Sequence, residues 1–202
     1  MTLQGVPLHL TDLAEVMEYV KENINNNLNC HQTGTIQSFD AITQTATVSI
    51  NSKRLIATNP DTWQNYPLLV DIPVIILGNS TARITLPINQ GDECLIFFND
   101  REIDNWYAQG GNPTFSIGRT HDISDAVILV GLRNSTKALS TYNNEAIELN
   151  NGDTVKLSIY SDHIEITGTL NSLNDIIAGT ISLQNHTHTT TTEGMPTSPP
   201  IL

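Results

Sequence analysis

The chain has 202 residues, a formal net charge of −12 and a hydrophobic content of 39%. This length allows one domain of ordinary size plus an appendage, and the hydrophobic content excludes a disordered chain. The nine Lys and Arg residues form no run, whereas phosphate contacts require clustered cations. These numbers argue against nucleic acid as a partner and against electrostatic docking on an anionic membrane.

The sequence contains no targeting signal that we recognise. No stretch approaches the roughly 20 apolar residues of a membrane-spanning helix, and the N-terminus lacks the basic start and apolar run of a signal peptide. Cys30 and Cys94 match no zinc or redox spacing. We expect two free, partly buried thiols in a protein assembled in a reducing cytosol, although the sequence leaves a disulfide between them open.

Residues 1–32 are predicted to form a helical arm. Apolar residues recur there at spacings of three and four, which places them on one face of a helix, and Thr11 is a candidate N-cap. This stripe packs either on its own domain or on a partner protein, and the sequence leaves both open. The stripe consists of Leu13, Val16, Met17, Val20, Ile24 and Leu28.

Residues 33–132 are predicted to form a small β domain. Short apolar and β-branched runs alternate there with Pro, Gly and Asn, which is typical of several short strands. A barrel fits this segment better than a sandwich, because closure removes exposed sheet edges. The predicted strands cover residues 35–39, 45–50, 70–77, 94–98 and 127–131.

Residues 133–182 are predicted to form a second β segment that cannot fold alone. Apolar and polar residues alternate strictly from Val155 to Ile159, and Asn151–Gly152 is a tight-turn dipeptide. One copy has too few apolar side chains for a stable core. We therefore expect an intertwined homotrimer, which would bury the apolar face on a three-fold axis and pair every edge strand with a neighbouring chain.

The last segment, residues 183–202, contains the candidate metal ligands His186 and His188. Residues two apart in an extended chain point to the same side, so each chain presents two imidazoles together. Around a three-fold axis, three chains would supply six imidazoles in two layers, which is an octahedron. This donor set suits a transition metal such as iron or nickel, and six-coordination disfavours zinc. Protonation of the imidazoles should release the metal as the pH falls through about 6.

The other candidate residues carry weaker signals. His121, Asp122, Ser124 and Asp125 lie too close in sequence for a catalytic triad, so we interpret them as a hydrogen-bonded loop. His163 is expected to be exposed on its strand. We expect no enzymatic activity.

Several blocks of the sequence resemble the central spike proteins of contractile-tail phages, of the baseplate assembly protein V type found in Mu-like phages. The blocks are GTIQSFD at residues 34–40, LVDIPV at 69–74, LPINQGDECLIFF at 86–98 and GRTHDISDA at 118–126, and the resemblance resumes at His186 and His188.

This resemblance implies an OB-fold barrel followed by a short trimeric β-helix or β-prism with a pointed apex. It implies one iron ion per trimer, held by His186 and His188, and a place in the virion at the tail baseplate. The implied partners are two further copies of the chain and the baseplate hub and tail tube proteins, which the N-terminal helix and the OB domain would contact. The host outer membrane would be the target of puncture.

Two other interpretations remain open. A ligand-binding OB module for a saccharide or an oligonucleotide predicts a monomer with a basic or aromatic groove. A mononuclear metalloenzyme built on His186 and His188 would need a third protein ligand and an open coordination position. The mass of the protein in solution separates these interpretations from the trimeric spike.

Overall fold

The computed structural model describes residues 13–56, 59–114, 118–152 and 154–185. The chain divides into two compact units, with the division between Ala138 and Leu139. The predicted four-part subdivision of the chain remains a prediction. None of the described helices is long and apolar enough to cross a membrane.

Among the described residues, the first unit contains two α-helices, a short 3₁₀ helix and nine strands. These elements are α1 (Leu13–Asn27), β1 (His31–Asp40), β2 (Thr45–Ile50), β3 (Lys53–Ile56), β4 (Asn59–Asn65), β5 (Leu69–Pro73), β6 (Leu77–Gly78), β7 (Arg83–Ile84), β8 (Glu93–Phe98), α2 (Asp104–Gln109), β9 (Ala126–Val130) and the 3₁₀ helix Ser135–Lys137.

Five strands of the first unit form one sheet in the order β5-β2-β1-β8-β9, and every neighbouring pair is antiparallel. The two ends of this sheet meet just after β5. Val74 forms a parallel bridge with Ile128 of β9, and the amide of Ile75 donates to the carbonyl of Ile128 at 2.8 Å. β5 and β9, the third and fifth barrel strands in chain order, therefore lie side by side. A five-stranded barrel with this order is an OB fold, which confirms the mainly β prediction with an N-terminal helix.

The barrel core is filled by the inward residues of these strands. Ile36, Val48, Ile96 and Ile128 are fully buried, because alternate residues of a strand point to the same side. Gly34 lies where β1 crosses this core. A Cβ atom there would lie 2.7 Å from Ile96 and 2.8 Å from Val48, so only glycine fits without movement of these side chains.

The structure contains two hairpins and one helix that the sequence did not predict. β3 pairs with β4, β6 pairs with β7, and α2 follows the barrel strand β8. These segments lack apolar periodicity, and β4 even contains Pro60, which normally argues against a strand. Trp63 and Trp106 are 62% and 53% exposed, so neither belongs to the core.

In its described part, the second unit contains five short strands, β10 (Ile147–Asn151), β11 (Val155–Ile159), β12 (Ile164–Thr167), β13 (Ile177–Ala178) and β14 (Ile181–Ser182). The first three form an antiparallel meander, and the last two form a separate hairpin. Gly152 follows β10 with a φ of +69°, and Gly179 joins β13 to β14 with a φ of +65°. Glycine adopts this left-handed conformation at little cost, as the Asn151–Gly152 dipeptide predicted.

Candidate functional site

The predicted metal ligands His186 and His188 lie outside the described residues. Within the ranges that the structure describes, no group of three or more His, Cys, Asp or Glu side chains could hold a metal ion. The metal site at the end of the chain therefore stays a prediction. Its donor set of neutral imidazoles is chemically suited to a first-row transition metal.

The meander β10–β12 has one continuous apolar face. Residues opposite each other on neighbouring antiparallel strands share a face of the sheet, and the register places two rows of three apolar residues on one face. One row runs Ile147, Ile159, Ile164, and the next row runs Leu149, Leu157, Ile166.

The side chains of this apolar face remain largely in contact with solvent in the single chain. Their exposed fractions reach 70% for Ile147, 62% for Ile164 and 52% for Leu149 and Val155. A soluble monomer rarely keeps so contiguous an apolar surface uncovered. This face, defined by the two rows and Val155, is the candidate functional site of the second unit, and we call it the apolar sheet face.

The opposite face of the meander is polar and is satisfied by its own chain. Glu148 accepts hydrogen bonds from Asn143 Nδ2 at 3.0 Å and from Ser158 Oγ at 3.2 Å. The bond from Asn143 is the main cause that lowers the pKa of Glu148. Ser158 is only 5% exposed. The two faces of the meander therefore differ sharply in polarity.

His163 lies immediately before β12 and is exposed, as predicted. Its ring stacks on Tyr160 with centroids 4.7 Å apart. Nδ1 lies 2.7 Å from Asp162, and Nε2 lies 3.3 Å from Glu165. The contact with Asp162, followed by that with Glu165, raises the pKa of His163. These local contacts engage both ring nitrogens.

The loop before β9 forms the hydrogen-bond network that the sequence predicted. Ser124 Oγ donates to Asp122 at 2.6 Å, while the ring of His121 contacts the carbonyl of Asn29 at 3.1 Å. Ser124 and His121 thus have different partners, and the arrangement is that of a structural loop. The bond from Ser124 lowers the pKa of Asp122.

An ion pair at the centre of this loop was not predicted from the sequence. Asp125 is fully buried and accepts from Arg119 Nε at 2.9 Å and from Arg119 Nη2 at 2.7 Å. Arg119 also reaches Asp104 at 2.7 Å. The bond to Asp125 is the main cause that raises the pKa of Arg119. A buried carboxylate needs such a bidentate partner, so this pair fixes the loop and the start of α2 to the barrel.

A groove beside the barrel was also not predicted. A cavity of about 430 Å³ lies between the barrel and the hairpin β6–β7, with Phe39, Val74 and Leu129 on the barrel side. Leu77 and Ile84 face each other across the hairpin and line the cavity, and Arg83 contributes the cation. Strands of only two residues give little periodicity, so the sequence contains no usable signal for this groove.

The two cysteines are free thiols with opposite exposure. Cys94 is fully buried in the barrel, whereas Cys30 is exposed just before β1. The expectation of two partly buried thiols is therefore wrong for both. Burial, followed by the nearby charge of Glu93, raises the pKa of Cys94 to about 11.

The barrel is similar to a domain of a known protein family. Residues 33–131 match the family described as the phage protein Gp138 N-terminal domain. This match spans just under half of the chain and coincides with the OB barrel, which begins with β1 and ends with β9. No curated protein matches the chain. The barrel is thus similar to the N-terminal domain of phage protein Gp138, and this match supports a phage structural protein.

Proposed function

We propose that the chain is the central spike of a contractile phage tail, a non-enzymatic homotrimer whose tip is pushed through the host outer membrane. The apolar sheet face carries this proposal. Its two cross-strand rows need a cover, and two further copies of the same sheet supply one with matching chemistry. The match to a phage protein family also supports a structural role in a phage particle.

In this proposal the three apolar sheet faces meet on a three-fold axis. The edge strands β10 and β12 of each copy have unpaired backbone groups on their outer sides within the described meander, and neighbouring copies can pair with them. Such pairing removes the sheet edges that otherwise invite aggregation. The polar faces then point outward, which suits a rod that passes through an aqueous and lipid envelope.

The tip of such a spike must resist fraying, although chain ends ordinarily fray. His186 and His188 of three chains would hold one transition-metal ion there, with iron as the expected metal. When bound, the metal supplies a cross-link between the three chain ends. Each chain would contribute two neutral imidazoles, so that the three chains together would supply six.

The first unit would attach the spike to the hub that ends the tail tube. An OB barrel offers a rigid docking body, and the net charge of −12 suits contacts with proteins better than contacts with anionic lipids. Among the described residues, the groove beside β6–β7 is lined mainly by aliphatic side chains, with one aromatic ring (Phe39) and one Arg (Arg83). A saccharide or oligonucleotide site would call for a more basic or more aromatic groove.

The mass of the purified chain in solution tests this proposal. We expect sedimentation equilibrium to give three times the chain mass of 22.2 kDa, because single chains leave the apolar sheet face in water. A monomer across the micromolar range would overturn the proposal and would favour an isolated ligand-binding barrel.

A further inference from the structure

The helix α1 has an apolar stripe that remains largely exposed in the described part of the chain. No residue of the helix is buried. Val16 is half-buried, and the exposed fractions of the other stripe residues lie between 45% for Val20 and 75% for Leu13. A lone amphipathic helix in water gains stability chiefly from packing this face. The stripe therefore calls for a partner.

The spacing of the stripe is that of a coiled-coil seam. Leu13, Met17, Val20 and Ile24 follow at intervals of four, three and four residues, which are the alternating d and a positions of a heptad. Val20 and Ile24 place β-branched side chains at both kinds of position, and a β-branched residue at d disfavours a two-stranded coil.

The charges of α1 lie where self-association tolerates them. In this register Glu15 and Glu22 occupy position f, opposite the seam, and Glu18 occupies position b, also on the outer side of the helix. Glu18 also pairs with Lys21 at 3.3 Å. Copies of this acidic helix can thus pack along the stripe without bringing carboxylates together. A partner with a basic surface would instead need carboxylates beside the stripe.

The helix is joined to the barrel with almost no slack. Asn29 Nδ2 donates to the carbonyl of His121 at 2.9 Å, and the amide of Phe98 donates to the carbonyl of Cys30 at 2.9 Å. Only Leu28 separates these anchored residues from the end of α1. Each barrel therefore holds its helix at a fixed point.

We propose that the α1 helices of three copies pack along this stripe into a parallel three-helix bundle. This inference rests on the proposed homotrimer, because two heptads are too short to associate on their own. Joining the chains elsewhere raises the effective concentration of the helices to the millimolar range. The outer face with Glu15, Glu18 and Glu22 then remains free to contact the hub.

Disulfide trapping in the full-length chain tests the bundle. The background is Cys30→Ser, which removes the exposed thiol, while Cys94 is buried and does not interfere. Val20→Cys places a thiol in the seam, and Glu22→Cys is the matched control on the outer face of the same helix. After mild oxidation of dilute protein, we expect several-fold more disulfide-linked dimer from Val20→Cys, up to two of every three chains.

The sedimentation mass of both variants separates the possible failures. Equal cross-linking of the two variants, or a seam thiol that stays reduced in a particle of three chains, overturns the bundle and leaves the trimer in place. A mass of one chain overturns the trimer and the bundle together.

Discussion

Cys94 and Cys30 illustrate how one residue type takes two roles in this chain. Cys94, Ile96 and Phe98 occupy every second position of β8, so the pleat of the strand turns all three side chains into the core. Cys30 precedes β1 and stays outside. The sequence could have predicted the first placement from the alternation, but it contains no signal for the second, which depends on where the helix ends.

At the residue scale we predict that the two thiols react at very different rates. The thiolate is the reactive form, and burial raises the pKa of Cys94 to about 11, so this residue stays protonated at pH 8. A colorimetric thiol reagent should titrate one thiol per chain quickly and the second only after denaturation. Cys30→Ser should abolish the fast phase, and two fast thiols in the native protein would contradict the assigned burial.

Residue contacts that depend on long-range pairing could not be predicted from the sequence. The loop around Ser124 was predicted as a hydrogen-bond network because its polar residues are adjacent. The pairing of Arg119 with buried Asp125 was not predicted, because burial of Asp125 follows from its position against the barrel. Local polarity can be read from a sequence, while the depth of a carboxylate requires the fold.

At the scale of elements, the meander β10–β12 allows a direct test of the apolar sheet face. Leu157 lies in the central strand between Leu149 and Ile166. We predict that Leu157→Asp prevents trimer formation, because a buried unpaired carboxylate costs about 3 kcal/mol or more per chain. That cost is roughly a hundredfold in the association constant for each chain.

The matched control is Thr167→Asp, which places the same charge on the opposite face of the meander, across from Lys156. Size-exclusion chromatography with light scattering at micromolar concentration should show a trimer for Thr167→Asp and single chains for Leu157→Asp. If both variants have the same mass as the unmodified chain, the apolar sheet face is not the interface.

Elements with strict alternation were predicted well, and polar elements were not. The strands β2 and β11 have the predicted bounds, because inward and outward residues differ in polarity at every step. β4, with the sequence NPDTWQN, lacks that contrast and was missed. The register that aligns the apolar rows of the meander also came from the structure, since a single sequence does not specify which strands pair.

At the scale of the whole molecule, closure of the barrel by Val74 and Ile128 was beyond sequence reasoning. The predicted four-part order of segments, with a change in character near residue 133, remains a prediction, while the structure itself divides the chain between Ala138 and Leu139. A parallel bridge between residues more than fifty positions apart leaves no periodic signature. The resemblance to phage spike proteins implied the OB fold, and the strand order confirms it.

We predict one transition-metal ion for every three chains after gentle purification, measured by elemental mass spectrometry. His188→Ala should reduce the metal content at least tenfold, because it removes half of the six proposed ligands. His163→Ala is the control, since His163 is bound to Asp162 and Glu165 and should not affect the metal. The melting temperature of the barrel should be unchanged in both variants. Equal metal loss from the two variants would contradict the assignment.

The exposed apolar sheet face also has a consequence for the life of a newly made chain. In the proposed trimer, each chain would expose this apolar surface to other proteins until it met two further copies, so the interval before assembly would be its period of greatest risk of aggregation. The net charge of −12 makes unassembled copies repel one another and slows their encounter. Moderate salt, which shortens the reach of that repulsion, should therefore hasten maturation.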